Sequence, residues 1–332
     1  MINFKSDNYN LPSDEVMTKI YGKLFTPKKL GAVLKFEDYL CDSPTVFKKD
    51  GKWYMLFVRI AKQTGESGYE THIACSDDLI HWEYMYPLLR RSEEGKWDSS
   101  QIGGYAAFQD VIFGGSNGIQ SVNGKNYIVY LGGNLNGYET DPLKTGLCYT
   151  KDILCPDEIH KFPAPILSPD DADVREGETL TLYKHCMFID EAMTTGHKYV
   201  SAYNAKNSTH HESIFLAISD DGERWERYGD KPVINNEDVQ INGDPQIIKI
   251  DDLYIMVYFI LDKDDKTYNT FAASYDLVHW KNWSGKHLIE SEFDWEDKFA
   301  HKSWVLKNEG KVYHFYCAVN TNGERFIALA TS

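Results

Sequence analysis

The phrase SDDLIHW at 76–82 recurs as SDDGERW at 219–225 and SYDLVHW at 274–280, with the serine six residues ahead of the tryptophan each time. A strand-like stretch ending in Ala-x-Ser leads into each copy: Ala74-Cys75-Ser76, Ala217-Ile218-Ser219 and Ala272-Ala273-Ser274. Weaker copies stand at Cys148-Tyr149-Thr150 and Ala330-Thr331-Ser332. The spacings are 74, 69, 55 and 58 residues, which makes five units with loops of varying length. Self-similarity of this kind points to a propeller or a solenoid, in which each unit buries its faces against its neighbours.

Each unit reads as four antiparallel strands. Upstream of each phrase lies a hairpin: TVFKKDGKWYMLFV, IQSVNGKNYIVYL, CMFIDEAMTTGHKYVSAY, QIIKIDDLYIMVYFI and WVLKNEGKVYHFYCAV. Asp50-Gly51, Asn123-Gly124 and Glu309-Gly310 suit tight hairpin turns, where glycine supplies positive φ. Downstream comes a short fourth strand: Pro87-Leu88-Leu89, Pro165-Ile166-Leu167, Pro232-Val233-Ile234 and His287-Leu288-Ile289. Four strands per unit favour a propeller. The fifth unit stops at Ser332 after its third strand, and Gly31-Ala32-Val33-Leu34 resembles the missing fourth. Pairing there closes the ring and hides a sheet edge. The expected fold is all-β, a five-bladed β-propeller over 31–332, with residues 1–30 as an extended or partly helical arm. The repeated phrase falls on the turn between third and fourth strands. Its Ser and Asp can bond turn backbone and its Trp can pack between units. It marks architecture rather than chemistry.

Composition narrows the function. Hydrophobic residues make up 42% of the 332, enough for a core, and the formal charge of −15 argues against nucleic acid or an anionic membrane as partner. No apolar run approaches the roughly 20 residues of a membrane span. The N-terminus MINFKSDNYNLPSDEV shows no apolar signal region, so a cytoplasmic location is expected, or a periplasmic one if a signal was trimmed. None of the six cysteines forms a CxxC pair, and Cys75, Cys148, Cys186 and Cys317, in apolar strand-like stretches, read as small core residues in a reducing compartment.

On a propeller, the starts of the innermost strands and the long loops share one face. The expected long loops are 90–115, 132–145, 168–183 and 204–213. Long loops on a rigid scaffold carry function. The five strand starts read Asp42-Ser43-Pro44, a region from Asp110 to Asn117, Lys184-His185, Asp244-Pro245 and His301-Lys302. Asp42 and Asp244, at equivalent positions, are expected to face each other across one pocket. Paired carboxyl groups serve glycosidic cleavage, one activating water or attacking while another group protonates the leaving oxygen.

These motifs resemble the five-bladed propeller glycoside hydrolases of families 43 and 117, with families 32 and 130 as cousins. The likeness spans about 30–332 and rests on Cys41-Asp42-Ser43-Pro44, Gly243-Asp244-Pro245, Tyr203-Asn204-Ala205-Lys206, and Ala300-His301-Lys302 followed by Val312–Tyr316. It implies an inverting hydrolase with Asp42 as base, Asp244 tuning and orienting the acid, and His301 helping to hold a channel Ca²⁺ or serving as the acid itself. No other cofactor is implied. The family's middle-blade glutamate is absent, since Lys184-His185 stands there; Glu178 and Glu212 are the nearest substitutes. Asp110 faintly echoes the Arg-Asp-Pro motif of family 32. Gln101, Lys184, His185, Asn204 and Lys302 are expected to grip hydroxyls of a small oligosaccharide or a glycoconjugate, taken from its end. Two rivals stand beside this reading. A phosphorylase would gather Lys184, His185, His301, Lys302 and Arg59 around phosphate. A sugar-binding propeller would lack turnover. His210-His211-Glu212 has no third metal ligand at useful spacing.

Overall fold

Four of the five hairpins expected from the alternating apolar stretches form, those of units 1, 3, 4 and 5, and the strands assemble into antiparallel groups. A computed structural model describes residues 10–62 and 68–332. Unit 1 comprises Tyr39–Lys49, Lys52–Ala61, Glu70–Ser76 and Glu83–Leu89, and unit 2 comprises Gln101–Ala106, Asn126–Gly133, Lys144–Thr150 and His160–Lys161. Unit 3 comprises Thr181–Ile189, Tyr199–Lys206, Glu212–Ser219 and Glu226–Tyr228. Unit 4 comprises Ile241–Ile250, Leu253–Leu261 and Thr267–Ser274, whose outer edge pairs with the short Lys281–Asn282 and Ile289–Glu290. Unit 5 comprises Phe299–Asn308, Lys311–Val319 and Arg325–Thr331, and the strand paired to its outer edge is the N-terminal Lys28–Leu34. First strands of successive units touch, and that of unit 5 touches that of unit 1.

The repeated phrase does what its residues suggest. Ser76 Oγ accepts from the backbone N–H groups of Asp78 and Leu79, Asp78 Oδ1 accepts from those of Ile80 and His81, and Trp82 Nε1 donates to Leu79 O. Ser219/Asp221/Trp225 and Ser274/Asp276/Trp280 repeat the pattern. Trp82 meets Phe315 of unit 5 edge-on, and Trp225 stacks on Phe108 after the first strand of unit 2. The phrase therefore fixes a turn and wedges an indole against another unit.

Before the N-terminal strand lies a helix, Asp14–Leu24, capped by Ser13, whose side chain accepts from Val16 N–H. Its buried Met17, Ile20 and Leu24 share a core with Ile248, Ile250 and Leu253 of unit 4.

Unit 2 departs from the sequence expectation. Its first strand is Gln101–Ala106, and IQSV is not that strand. Gly103 and Gly104 disguise it as a loop, yet both are needed: a Cβ on Gly104 meets Ile128 and Thr71 at 3.0 Å, and one on Gly103 meets Leu131 and Val58 at 3.2 Å. Residues 107–125 form an insertion at the far end of that strand. It reaches the first strands of the other four units through Gln109 Nε2 to Val46 O (2.9 Å), Phe108 N to Met187 O (2.9 Å), Phe113 N to Lys249 O (2.9 Å) and Asn117 Nδ2 to Lys307 O (3.2 Å). The loop spanning 90–115 is thus split between both faces, and the far end of the channel is covered.

Buried histidines set the acid response of the fold. His185, His301 and His314 are nearly fully enclosed, and burial pushes each down to about 3 from 6.5. At each histidine the unfolded state holds more protons between those values, so its contribution to stability falls as pH drops from about 6.5 toward 3, by up to roughly 1.4 kcal/mol per pH unit, against the opposite contribution of Glu212 and Asp244, whose carboxyls are raised to about 8 and about 6. Among the described residues His314 has no hydrogen-bond partner at either ring nitrogen. The expected result is a urea midpoint that falls between pH 7 and pH 5, with a shallower fall in His314→Leu. A midpoint equally steep in the variant would remove His314 from this account.

Candidate active site

First strands of units 1, 3, 4 and 5 carry the same irregularity near their start. The register jumps between Asp42 and Thr45, Leu182 and His185, Gly243 and Gln246, and His301 and Trp304. Two residues are pushed out of each ladder: Ser43-Pro44, Tyr183-Lys184, Asp244-Pro245 and Lys302-Ser303. Ser43, Asp244 and Lys302 adopt φ of 55°, 52° and 52°. Such bulges re-aim side chains at functional rims. Asp244 is therefore equivalent to Ser43 and Lys302, whereas Asp42 matches Gly243 and His301. The expected equivalence of Asp42 and Asp244 is off by one residue, a shift that the bulge hides in sequence.

Around these bulges lies a cavity of about 110 Å³, lined in part by Tyr138, Glu139, Tyr183, Asn204, Glu212 and Asp244, with His301, Lys302 and Arg325. Phe259 and Phe299 add apolar wall. Glu212 opens the third strand of unit 3, and its Oε2 accepts from Asn204 Nδ2 at 2.8 Å. Burial, then the nearby Glu139, push its carboxyl up to about 8 against the pull of Lys206 and Asn204. Glu212 is thus a protonated acid at neutral pH. Asn204 Oδ1 also accepts from Asp244 N–H at 3.2 Å, so one amide side chain ties two acids together. Burial lifts Asp244 to about 6 despite Lys302 and Lys184, and its Oδ2 has no hydrogen-bond partner among the described residues.

Beneath these acids lies an ionic knot. Asp42 accepts from Tyr138 OH and Arg325 Nη1, with Lys302 Nζ at 3.5 Å. Tyr138 OH accepts from Lys302 (2.9 Å) and Arg325 (2.7 Å), and Lys302 is ion-paired with Glu139. Burial opposes charge on Asp42, but Lys302, Arg325, His301 and Tyr138 outweigh it and hold the carboxyl well below its usual range.

No protein-family model matches the sequence, and no curated protein matches it. Solved structures do. A complex of BT0996 with RGII is 41% identical, with a TM-score of 0.92 over 96% of this chain and 95% of that one. A second structure, a glycoside hydrolase, is 40% identical, with a TM-score of 0.92 over 97% and 96% of the two chains. This chain is a glycoside hydrolase. A family 117 enzyme of the marine bacterium Zobellia galactanivorans (14% identity, TM-score 0.69, 93% and 91% of the chains) shares its fold. So does a thermostable family-43 enzyme (16%, TM-score 0.63, 92% and 91%). The expected likeness to propeller hydrolases holds.

Several site expectations for this hydrolase need correction. Glu178 does not line the cavity. Burial works against its charge, but Arg175 and Tyr203 bond it, and Arg227 Nε lies 2.9 Å from Oε2, so its carboxyl is lowered and cannot supply a proton. Asp110 sits in the far-end insertion, where it accepts from Ser116 and from Ile112 N–H, away from the acids. Arg59 stacks on Tyr39, its guanidinium carbon 3.6 Å from the ring centre, with Phe36 and Tyr84 close by. His185 bonds Thr145 (2.8 Å) and Ser201 (2.9 Å) and stacks on Tyr203. Lys184 is buried over the Trp304 and Tyr105 rings and donates to Ser303 O at 3.4 Å. The Gln101 side chain bonds only a neighbouring loop among the described residues. Of the five residues expected of a phosphorylase, His301 and Lys302 line the cavity and Lys184 lies near enough to Asp244 to pull its carboxyl down, whereas Arg59 and His185 are engaged elsewhere. His301 is held neutral by burial, so it carries no proton to donate as imidazolium near pH 7.

Asp42, His301 and Cys317 bring ligand atoms within 4.8 Å of one another. Ca²⁺ prefers six to eight oxygen ligands. This set offers one carboxylate, an imidazole and a thiol, and Arg325 and Lys302 already sit against the carboxylate. The residues do not fit Ca²⁺.

Tyr138, Glu139, Tyr183 and Arg325 were not singled out in the sequence. Tyr138 and Glu139 stand in the long loop 132–145, where an acid beside an aromatic was the available signal. Arg325 opens the third strand of unit 5 just as Glu212 opens that of unit 3. Aligning units on that strand, rather than on the first, brings both out.

Proposed function

We propose that this hydrolase removes a single sugar from the end of an oligosaccharide, with inversion, using Glu212 as general acid and Glu139 as the carboxylate that activates water. The observation carrying this reading is the contrast between two acids lining one small cavity: Glu212, buried and pushed up to about 8, and Glu139, ion-paired with Lys302. Acid–base pairs of glycosidases are recognised by environments that separate their protonation states. Asp42 is a weaker candidate for the base, because Tyr138, Arg325 and Lys302 occupy its oxygens and none of its surface is exposed. Its role is to hold those three groups as the pocket floor. Asp244 keeps like charge near Glu212.

We further infer that the five units are blades of a closed five-bladed propeller, with the N-terminal strand completing the last. The far end is covered by 107–118, which favours a one-mouthed pocket and attack at the end of a saccharide. Arg325 and Lys302 supply the positive charge around Asp42, so no metal is needed. The RGII in complex with the 41%-identical neighbour makes an oligosaccharide of that kind the first substrate to try.

Incubation with such oligosaccharides and with aryl glycosides, followed by ¹H NMR, tests the reading. Expected are phosphate-independent release of a terminal monosaccharide, a first-formed anomer opposite to that of the bond cleaved, and no loss with EDTA. Retained configuration would make Glu139 a nucleophile instead. Internal cleavage would refute the assignment to saccharide ends, and a strict need for phosphate the hydrolytic one.

A further inference from the structure

We propose that Gln101 is a positioning residue that sets Tyr138 and Glu139 in the pocket by clamping both ends of the loop that carries them. The inference rests on the role of Glu139 proposed above. Gln101 is fully buried at the start of the first strand of unit 2, where its backbone pairs with Gly133. Its side-chain nitrogen donates to Leu135 O (2.9 Å) and Thr140 O (3.0 Å), and its oxygen accepts from Thr140 N–H (2.9 Å). Both amide protons and the oxygen of this one side chain are committed to the loop. The clamped carbonyls bracket residues 136–139.

The segment between them needs holding. Glu139 has φ of 51°, a left-handed conformation that a non-glycine residue keeps only where the surrounding structure holds it. Gly137 has φ of 120°, and a Cβ there meets Thr140 Oγ1 at 2.4 Å, so the turn is tightly folded. Thr140 Oγ1 donates to Asn136 O at 3.0 Å and closes the turn internally. Within this frame the Tyr138 hydroxyl reaches Asp42, Lys302 and Arg325, and Glu139 reaches Lys302. Gln101 itself does not line the cavity, so its effect on the reaction passes through the loop. Displacing a reacting group by about 1 Å costs on the order of 100-fold in rate.

Gln101→Met keeps the volume and removes all three bonds; Gln101→Glu keeps the acceptor and sets a carboxylate against two carbonyls. Each is measured alone and combined with Glu139→Gln, on the glycoside that the wild type turns over best. Expected are a fall in kcat of about 100-fold with KM within about threefold, a shifted acidic limb of kcat/KM, and a double variant no slower than Glu139→Gln alone. Losses that multiply in the double variant would overturn the inference. So would a raised KM with unchanged kcat, the mark of a hydroxyl-binding side chain, or a lowered urea midpoint with unchanged kcat. If Glu139→Gln keeps wild-type kcat, the catalytic assignment of Glu139 fails by itself. The clamp is then judged by the same cycle with Tyr138→Phe.

Discussion

Glu212→Gln is expected to lower kcat by about 10³-fold on a glycoside with a poor leaving group and by about tenfold or less on a nitrophenyl glycoside. A positioned general acid contributes roughly 10²–10⁴ in rate, and a good leaving group does not need the proton. Glutamine at 212 preserves the bond from Asn204, because its amide oxygen can take the place of Oε2. The substitution therefore removes the proton and little else. The pH profile supplies an independent reading. Glu212 must be protonated to act and is pushed up to about 8 by burial and by Glu139. Wild-type kcat/KM should fall above about pH 8, and in Glu212→Gln that alkaline limb should disappear. Equal losses on both substrates, or an unchanged alkaline limb, would move the acid elsewhere in the pocket.

Asp42→Asn is expected to act first on stability. Asp42 is completely buried and shared by Arg325, Lys302 and Tyr138. Removing one partner of a buried ion pair typically costs about 3–5 kcal/mol, because the other charge is left uncompensated. Here Lys302 keeps Glu139, but Arg325 has no second carboxylate bonded to it among the described residues. The urea midpoint should drop accordingly, and Asp42→Asn combined with Arg325→Met should recover part of the loss. Activity should fall as well, since Tyr138 and Lys302 lose their anchor. A loss of kcat beyond 10³-fold with an unchanged midpoint would instead restore Asp42 as the base that activates water.

The two substitutions separate what the chain reveals in one dimension from what it conceals. Asp42, Asp244 and His301 stand beside recognisable strand starts, and the repeat brings them to one cavity and the ion pairs beside it. The roles of Asp42 and Glu178 do not. Both are buried acids near the channel face, and both turn out to be enclosed by arginine and tyrosine, Asp42 by Arg325 and Tyr138, Glu178 by Arg175, Arg227 and Tyr203. Glu212 differs because, among the described residues, no arginine bonds it; Asn204 does. Partners 25, 49 and 283 residues away settle which acid keeps its proton.

The sequence by itself determined the repeated units, the hairpins of units 1, 3, 4 and 5, the Ser–Asp turn of the repeated phrase and the match of Gly31-Ala32-Val33-Leu34 to the edge of the last unit. These are local properties: apolar alternation, turn glycines and Ser–Asp bonds act within a few residues of their own chain. Tertiary structure decided three further things: the one-residue offset between Asp42 and Asp244, the first strand of unit 2 hidden by Gly103 and Gly104, and the arrival of Tyr138, Glu139 and Arg325 beside Glu212. A bulge changes which face a residue points to without changing its spelling. A carboxyl group's protonation depends on burial and on charges brought up from other units, and those exist only once the chain has folded.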